Sequence, residues 1–143
     1  MIQSLEVAAS ELVVIPVKAQ TNKISFPQNA TTIEKGRIVA IEAYNVSLLG
    51  KVIPLTPVVN NVAFANSFLT LRNAETKTED YHQVPLTDLL RNSNSGVMER
   101  IKSMKVDVSL SYIETADPST LVIGEAFVLR FVYEPDTAVG CKD

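Results

Sequence analysis

The sequence lacks most of the residues on which enzyme and metal sites are built. Its 143 residues include no tryptophan, one cysteine and one histidine. The single cysteine, Cys141, excludes an internal disulfide and is a poor metal site by itself, so we interpret it as an exposed or interface-covered thiol. The single histidine, His82, excludes a cupin-type metal site, which would use two or three histidines together with a carboxylate. Phosphate-binding glycine loops and calcium-binding EF-hand loops are also missing.

Strong charge and long apolar runs are missing too. The formal net charge is −3, which has the wrong sign for nucleic-acid binding through a basic patch. The longest apolar run, ELVVIPVKA, is broken by Pro16 and ends near Lys18, far short of the ~18 residues that span a bilayer. The first residues contain Glu6 and no basic segment. We therefore expect no specific nucleic-acid partner, no transmembrane segment and no signal peptide.

His82 is the one candidate for a catalytic base, because Glu79 and Asp80 are close to it in sequence. A catalytic triad also needs a nucleophile in a defined context, and no such context occurs in this chain. The acidic pairs, Glu79 with Asp80 and Glu6 with Glu11, fall in predicted turns or edges and not across a cleft. We predict that the chain is not an enzyme, that it has no catalytic, cofactor-binding or metal-binding residue, and that it uses no cofactor. His82 is interpreted as a surface residue.

What the sequence does contain is the alternation of apolar and polar residues that is typical of β-strands. The clearest case is residues 120–135, TLVIGEAFVLRFVYEP, where four large residues share one face: Phe127, Leu129, Phe131 and Tyr133. This pattern predicts a central strand whose aromatic face is covered by a second layer. Gly124, inside the stretch, is expected to mark a bulge or a close backbone approach.

Further strands are predicted at residues 11–18, 37–46, 51–55, 67–73 and 105–113. Pro16 lacks a ladder donor, so the first of these strands should be an edge strand or carry a bulge. Glu42 is the one charge inside the second run. If buried it would need a partner such as an arginine, and we interpret it as lying where its face meets solvent. In the last run, Val106, Val108, Leu110 and Tyr112 are expected to face inward, with Asp107, Ser109 and Ser111 facing outward.

Turns and short helices should connect these strands. Residues 97–104, VMERIKSM, place Val97, Ile101 and Met104 at helical spacing and are the predicted helix. Residues 84–92, VPLTDLLRN, should begin extended and then have the composition of one or two helical turns, and residues 74–83 form a charged, exposed loop. Asn60 with Asn61 predicts a hairpin-like corner, and Lys35 with Gly36 predicts a tight turn.

Helices are too few to connect parallel strands, so the fold class is all-β and mostly antiparallel. We predict an antiparallel β-sandwich of about eight strands with jelly-roll (Greek key) wiring and one short helix, because the connections are uneven in length. An immunoglobulin-like sandwich is the nearest competitor, but the chain has no tryptophan and no cysteine pair to support it. Residues 1–143 should form one domain, with a possible N-terminal arm at residues 1–10 and a C-terminal tail at residues 137–143.

Several of these stretches carry a resemblance: KGRIVAIEAYNVS, SFLTLRN, VPLTDLL, KVDVSLSYIE and GEAFVLRFVYEP. Together they cover most of the chain. In them the chain resembles small single jelly-roll structural proteins of icosahedral viruses, including vertex (penton) and minor capsid proteins of tailless bacteriophages. The resemblance implies a virion protein made in the host cytoplasm, contacts in a five-fold or other homo-oligomer and with other capsid proteins, no catalysis, and no site residue.

Two other functions stay open. One is a non-catalytic binding module that recognises a carbohydrate or a receptor, although Tyr81 is the one tyrosine that the patterns leave exposed. The other is an accessory domain of an enzyme. For the assembly interpretation, we predict that subunit contacts involve residues 1–10, 74–82 and 137–143, which are polar or irregular.

Overall fold

The computed structural model describes residues 9–44, 58–90 and 99–135, which form two antiparallel four-stranded β-sheets packed together. The strands are β1 (Ala9–Pro16), β2 (Lys23–Ser25), β3 (Gly36–Tyr44), β4 (Ser67–Asn73), β5 (Thr78–Pro85), β6 (Glu99–Met104), β7 (Tyr112–Thr115) and β8 (Ala126–Pro135). The first sheet has the order β1-β8-β3-β6 and the second has the order β2-β7-β4-β5. The predicted all-β antiparallel sandwich is confirmed.

The path of the chain between the two sheets is uneven. Among the described strands, β4 and β5 are the one consecutive pair that shares a sheet. In each of the remaining consecutive pairs, the two strands lie in different sheets. The first and last strands, β1 and β8, are neighbours from Ala9 opposite Tyr133 to Pro16 opposite Ala126. Most neighbours within a sheet are therefore distant in sequence.

β8 confirms the strongest strand prediction. It lies between β1 and β3, and Phe127, Leu129 and Phe131 are almost fully buried. The strand begins at Ala126 and not at residue 120. Gly124 lies just before it with φ of 102°, and a Cβ there would meet nothing within 4 Å. The N–H of Gly124 donates to the carbonyl of Val17 at 3.1 Å, and the N–H of Val17 donates to the carbonyl of Glu125 at 2.8 Å. Two residues therefore face one, so the predicted bulge at Gly124 is confirmed, whereas the alternative, a close backbone approach, is not found.

The core lies between the sheets. Phe26, after β2, packs edge-on against Phe131 of β8 with ring centroids 6.0 Å apart, so an aromatic contact joins the two layers. The largest fully buried side chains come from both sheets and from the connections: Phe127, Phe131, Ile15, Ile33, Ile38, Ile41, Leu69, Leu71, Leu86, Leu89, Ile113 and Leu121.

The predicted helix over residues 97–104 is wrong. Glu99–Met104 is strand β6, and it pairs with β3 through Ile38 opposite Met104. Apolar spacing over eight residues cannot separate a helix from a strand, and here pairing with a neighbouring strand decides.

The α-helix of the described chain is α1 (Asn61–Ala65), where a corner was predicted. Asn60 caps it, because its side-chain Oδ1 accepts a hydrogen bond from the backbone N–H of Ala63 at 3.0 Å. A short 3₁₀ helix at Leu86–Leu89 agrees with the helical turns that were expected there.

The run 105–113 is not one strand. A 3₁₀ turn at Val108–Leu110 interrupts it before β7, and this turn shifts the alternation. As a result Leu110 is 52% exposed and Ser111 is buried, the opposite of the expected orientation. The Ser111 hydroxyl donates to the carbonyl of Asp107 and accepts the N–H of Arg72, which ties the turn to β4.

The connection before β3 is a 3₁₀ helix (Gln28–Lys35) that buries Ala30 and Ile33. Gly36 is not in a tight turn, since it opens β3 with extended φ of −153°.

Some predictions fall outside the described residues. These are the strand at residues 51–55, Cys141, the tail at 137–143 and most of the arm at 1–10. Ala9 and Ser10, which the predicted arm included, are the first two residues of β1. Pro16 closes β1 at the edge of the first sheet, as predicted.

Candidate functional site

His82 lies on β5, half exposed, and its Nδ1 is 3.2 Å from Oε1 of Glu79. The hydroxyl of Tyr112 donates to the other oxygen of Glu79 at 3.3 Å. Asp80 is turned away and accepts a hydrogen bond from the Asn73 side chain at 2.8 Å. In the part of the chain that the structure describes, the side chain in polar contact with His82 is Glu79, so this group has a carboxylate and a phenol but no nucleophile.

Metal-ligating side chains do not converge. Within residues 9–44, 58–90 and 99–135, no group of three or more His, Cys, Asp or Glu residues could hold a metal ion.

The corner between β4 and β5 is held by polar contacts. Asn73 is buried, and its Oδ1 accepts the backbone N–H groups of Glu75 and Thr76 at 2.8 and 3.2 Å. One terminal guanidinium nitrogen of Arg37, on β3, donates to both carboxylate oxygens of Glu75 at 3.0 Å, which links the two sheets. A concavity of about 490 Å³ lies beside them, but its polar groups are engaged with one another, so we interpret it as structural.

The outer face of the second sheet has a smaller pocket of about 280 Å³. It is lined by Phe68, Gln83, Glu114, Thr115 and Ala116, and we call it the Phe68 pocket. Phe68 lies directly opposite Glu114 in the β4–β7 register. The Gln83 side-chain amide donates to Oε1 of Glu114 at 3.0 Å, which closes one side of the pocket.

Gln83 is held in an uncommon backbone conformation, with φ of 50°. Its N–H donates to the hydroxyl of Thr70 at 3.0 Å, and Thr70 is fully buried. The β4–β5 register shifts between Leu69 and Leu71, so Gln83 lies beside an irregularity in the ladder. Left-handed conformations of non-glycine residues are strained and persist where the surroundings impose them.

A lysine completes this face. Lys23 lies opposite Glu114 in the β2–β7 register. Its ammonium lies over the ring of Tyr112, 4.4 Å from the centroid, in a cation–π contact. The face therefore carries Lys23 and Glu114 next to the Phe68 pocket, and the Glu79 carboxylate lies farther along it, at the hydroxyl end of Tyr112.

The outer face of the first sheet contains a buried charge. Glu42 is 1% exposed and lies opposite Arg130, whose Nε is 3.7 Å from its Oε1. Arg130 also donates to the hydroxyl of Tyr44 at 2.9 Å and to Ser10 at 3.1 Å. The interpretation of Glu42 as solvent-facing is wrong, and the alternative, burial beside an arginine, is confirmed.

One end of the sandwich presents aliphatic side chains to solvent. Val62 is 57% exposed, Val122 47% and Ile123 64%, and we call these three residues the aliphatic tip. Asn60, which caps α1, also donates to the carbonyl of Thr120 at 3.1 Å. Its backbone N–H contacts the Glu125 carboxylate at 3.3 Å. These contacts hold the segment that carries Val62 against the segment that carries Val122 and Ile123.

Comparisons of the chain with protein-family models, with curated proteins and with solved structures found no match. Among the residues that the structure describes, no helix is long and apolar enough to cross a membrane.

Sequence reasoning located some of these features and missed others. The predicted contact loop at residues 74–82 is a turn followed by the first half of β5, and it is mostly exposed. The Phe68 pocket was missed. Its one signal in the sequence is that Phe68 lies on the face of β4 opposite to the core residues Leu69 and Leu71.

Proposed function

We propose that this chain is a structural virion protein, a capsid or vertex (penton-like) building block that assembles with further copies of itself and with other capsid proteins. The proposal includes jelly-roll wiring of the two sheets. The observation that carries it is the strand order, β1-β8-β3-β6 against β2-β7-β4-β5. With its single intra-sheet hairpin and its adjacent first and last strands, this order supports two interlocked Greek keys.

The aliphatic tip supports assembly. Isolated exposed apolar residues are ordinary on a monomer, but three β-branched residues held together at one end are a ready contact surface. Subunit interfaces bury an apolar centre inside a polar rim. Around the tip, exposed Lys18, Gln20 and Asn61 can form such a rim. The proposed occupant is a second copy of this chain.

Three of the four sheet edges, β1, β2 and β5, are poor alternatives for self-association. β1 ends at Pro16, and β2 has only three residues before the chain reaches Pro27. β5 has an irregular register and carries charged side chains. Short, charged or proline-containing edges resist edge-to-edge pairing, so growth of a continuous sheet between copies is disfavoured.

The test is the mass of the purified full chain by native mass spectrometry and light scattering over a range of concentrations, with electron microscopy of any large species. We expect closed rings or shells of defined copy number. A chain that stays monomeric at every concentration, alone and with other proteins of the same particle, would contradict the proposal.

A further inference from the structure

We propose that the Phe68 pocket binds one neutral saccharide ring, which gives the chain a ligand-binding activity besides assembly. The proposal does not depend on the virion role. It rests on the lining of the pocket: an apolar ring, hydrogen-bond acceptors that protein groups leave unused, and a balanced local charge.

The apolar part of the pocket is the phenyl ring of Phe68, which is partly exposed between β5 and β7. The face of an aromatic ring carries partial negative charge. A pyranose has a face of C–H groups with partial positive charge, so it can stack on such a ring. The pocket of about 280 Å³ matches one small ring and not an extended chain.

The polar part is the amide–carboxylate pair. Gln83 Nε2 donates to Oε1 of Glu114, and in the described part of the chain Oε2 of Glu114 and Oε1 of Gln83 have no hydrogen-bond partner. Two acceptors therefore lie beside the phenyl ring, one of them ionised. Hydrogen bonds from hydroxyl groups to a carboxylate are shorter and stronger than neutral ones. Sugar hydroxyls supply such donors next to an apolar face.

Local charge favours a neutral ligand over a cation. Lys23 is opposite Glu114 in the register, and its ammonium lies over Tyr112, two residues before Glu114 on β7. Because its ammonium is drawn over Tyr112, Lys23 balances the charge without occupying the carboxylate. A cationic ligand would be repelled by Lys23, whereas a polyol would not.

The backbone holds the acceptor pair in place. The left-handed conformation of Gln83, fixed by its N–H bond to buried Thr70, directs the side chain toward Glu114. A pre-arranged pair loses little side-chain freedom when a ligand binds. The left-handed conformation of Gln83 thus has a role in ligand binding, because it places the side-chain amide beside Glu114.

The experiment measures saturation-transfer NMR of three methyl glycosides, those of glucose, galactose and N-acetylglucosamine, with the full chain in whatever assembly state it adopts. At least one glycoside should bind, with a dissociation constant on the order of 1 mM, as expected for a shallow site and a small ligand. Glu114→Gln should weaken binding about tenfold, because a charge-assisted hydrogen bond is lost. Phe68→Leu should abolish the saturation-transfer signal, because the aromatic ring is lost. Phe68→Tyr, which keeps the ring, should retain the signal.

Glu134→Gln is the matched control, since Glu134 is an exposed carboxylate on β8 of the other sheet, and it should bind like the original chain. Circular dichroism checks that each variant is folded. If either Glu114→Gln or Phe68→Leu does not fold, the other variant still tests the proposal by itself. No saturation transfer with any glycoside would overturn the proposal. Glycoside binding that is unaffected by Glu114→Gln and by Phe68→Leu would also overturn it. So would a result in which the cation N-acetyl-argininamide binds in the Phe68 pocket and the sugars do not. None of these results bears on the mass measurement that tests assembly.

Discussion

Glu42 and Arg130 show how a charge is accommodated on the first sheet. The carboxylate of Glu42 is almost fully buried, while the Arg130 side chain is 30% exposed. Burying a carboxylate costs free energy unless a positive charge and hydrogen bonds compensate for it. Arg130, oriented by Tyr44 and Ser10, supplies the positive charge. The net contribution of the pair to stability is therefore small, but removing Arg130 alone would destabilise the fold, because the Glu42 carboxylate would stay buried without that positive charge.

Arg130→Met is expected to lower the free energy of unfolding by about 2 kcal/mol, because it removes a positive charge that lies beside a buried carboxylate. The double variant Glu42→Leu with Arg130→Met should cost less than the sum of the single variants. Urea unfolding followed by circular dichroism measures these values, at one protein concentration because assembly would add to apparent stability. Strict additivity of the two single effects would contradict the coupling.

Gly36 is required for space and not for backbone freedom. A Cβ on Gly36 would lie 2.5 Å from the carbonyl oxygen of Glu134 and 2.8 Å from Cδ2 of Tyr133. Gly36→Ala should therefore push β3 away from β8 and cost about 1–3 kcal/mol in unfolding free energy. Gly124→Ala is the comparison, because it meets open space and its cost, about 1 kcal/mol or more, comes from φ alone. Moving Tyr133 aside by Tyr133→Ala should relieve part of the Gly36→Ala effect and none of the Gly124→Ala effect.

Among the elements, α1 is too short to be stable by itself. A helix of five residues has almost no intrinsic stability, so its caps and tertiary contacts hold it in place. Asn60 does both, since it accepts the N–H of Ala63 and donates to the carbonyl of Thr120.

Asn60→Ala should lower the free energy of unfolding by about 1–2 kcal/mol, because one helix N–H and one partly buried carbonyl lose their partner. Asn60→Asp should cost less, since it keeps the cap and loses the donor to Thr120. Asn61→Ala, at an exposed neighbouring position, is the control and should change stability by less than about 0.5 kcal/mol. Equal effects of Asn60→Ala and Asn61→Ala in urea unfolding would show that the cap is unimportant.

For the whole molecule, the testable consequence of the proposed assembly is the role of the aliphatic tip. Val122→Ser with Ile123→Ser should shift the mass distribution toward smaller species and leave the β-sheet spectrum unchanged, because the exposed side chains add little to the fold. Leu110→Ser, another highly exposed apolar position, 52% exposed in the turn before β7, is the control and should assemble normally. Sedimentation velocity of the three proteins measures the effect. Unchanged assembly in the double variant would move the contact away from the tip.

Residue-level predictions succeeded where period-two alternation continues over a long strand. In β8, Phe127, Leu129 and Phe131 were assigned to the core from their spacing alone, because side chains alternate along any extended chain. The same reasoning failed in residues 105–113, where the 3₁₀ turn at Val108–Leu110 reverses the alternation. Ser109, whose hydroxyl donates to the Asp107 carboxylate at 2.9 Å, is the local signal for that turn.

The candidate sites depend on partners that are far away in sequence. The Phe68 pocket needs β4, β5 and β7 side by side. The burial of Glu42 needs Arg130, which is 88 residues later in the chain (130 − 42). Neither juxtaposition follows from local patterns.

By itself, the sequence determined the class of fold, the inward face of β8 and the edge position of β1, because alternation and a missing proline N–H act on the local backbone. The tertiary structure alone decided that residues 99–104 pair as a strand, that Glu42 is buried and that Phe68 meets Glu114. Each of these outcomes is a competition between local preference and contacts made by distant segments, and in each of them the distant contacts are stronger.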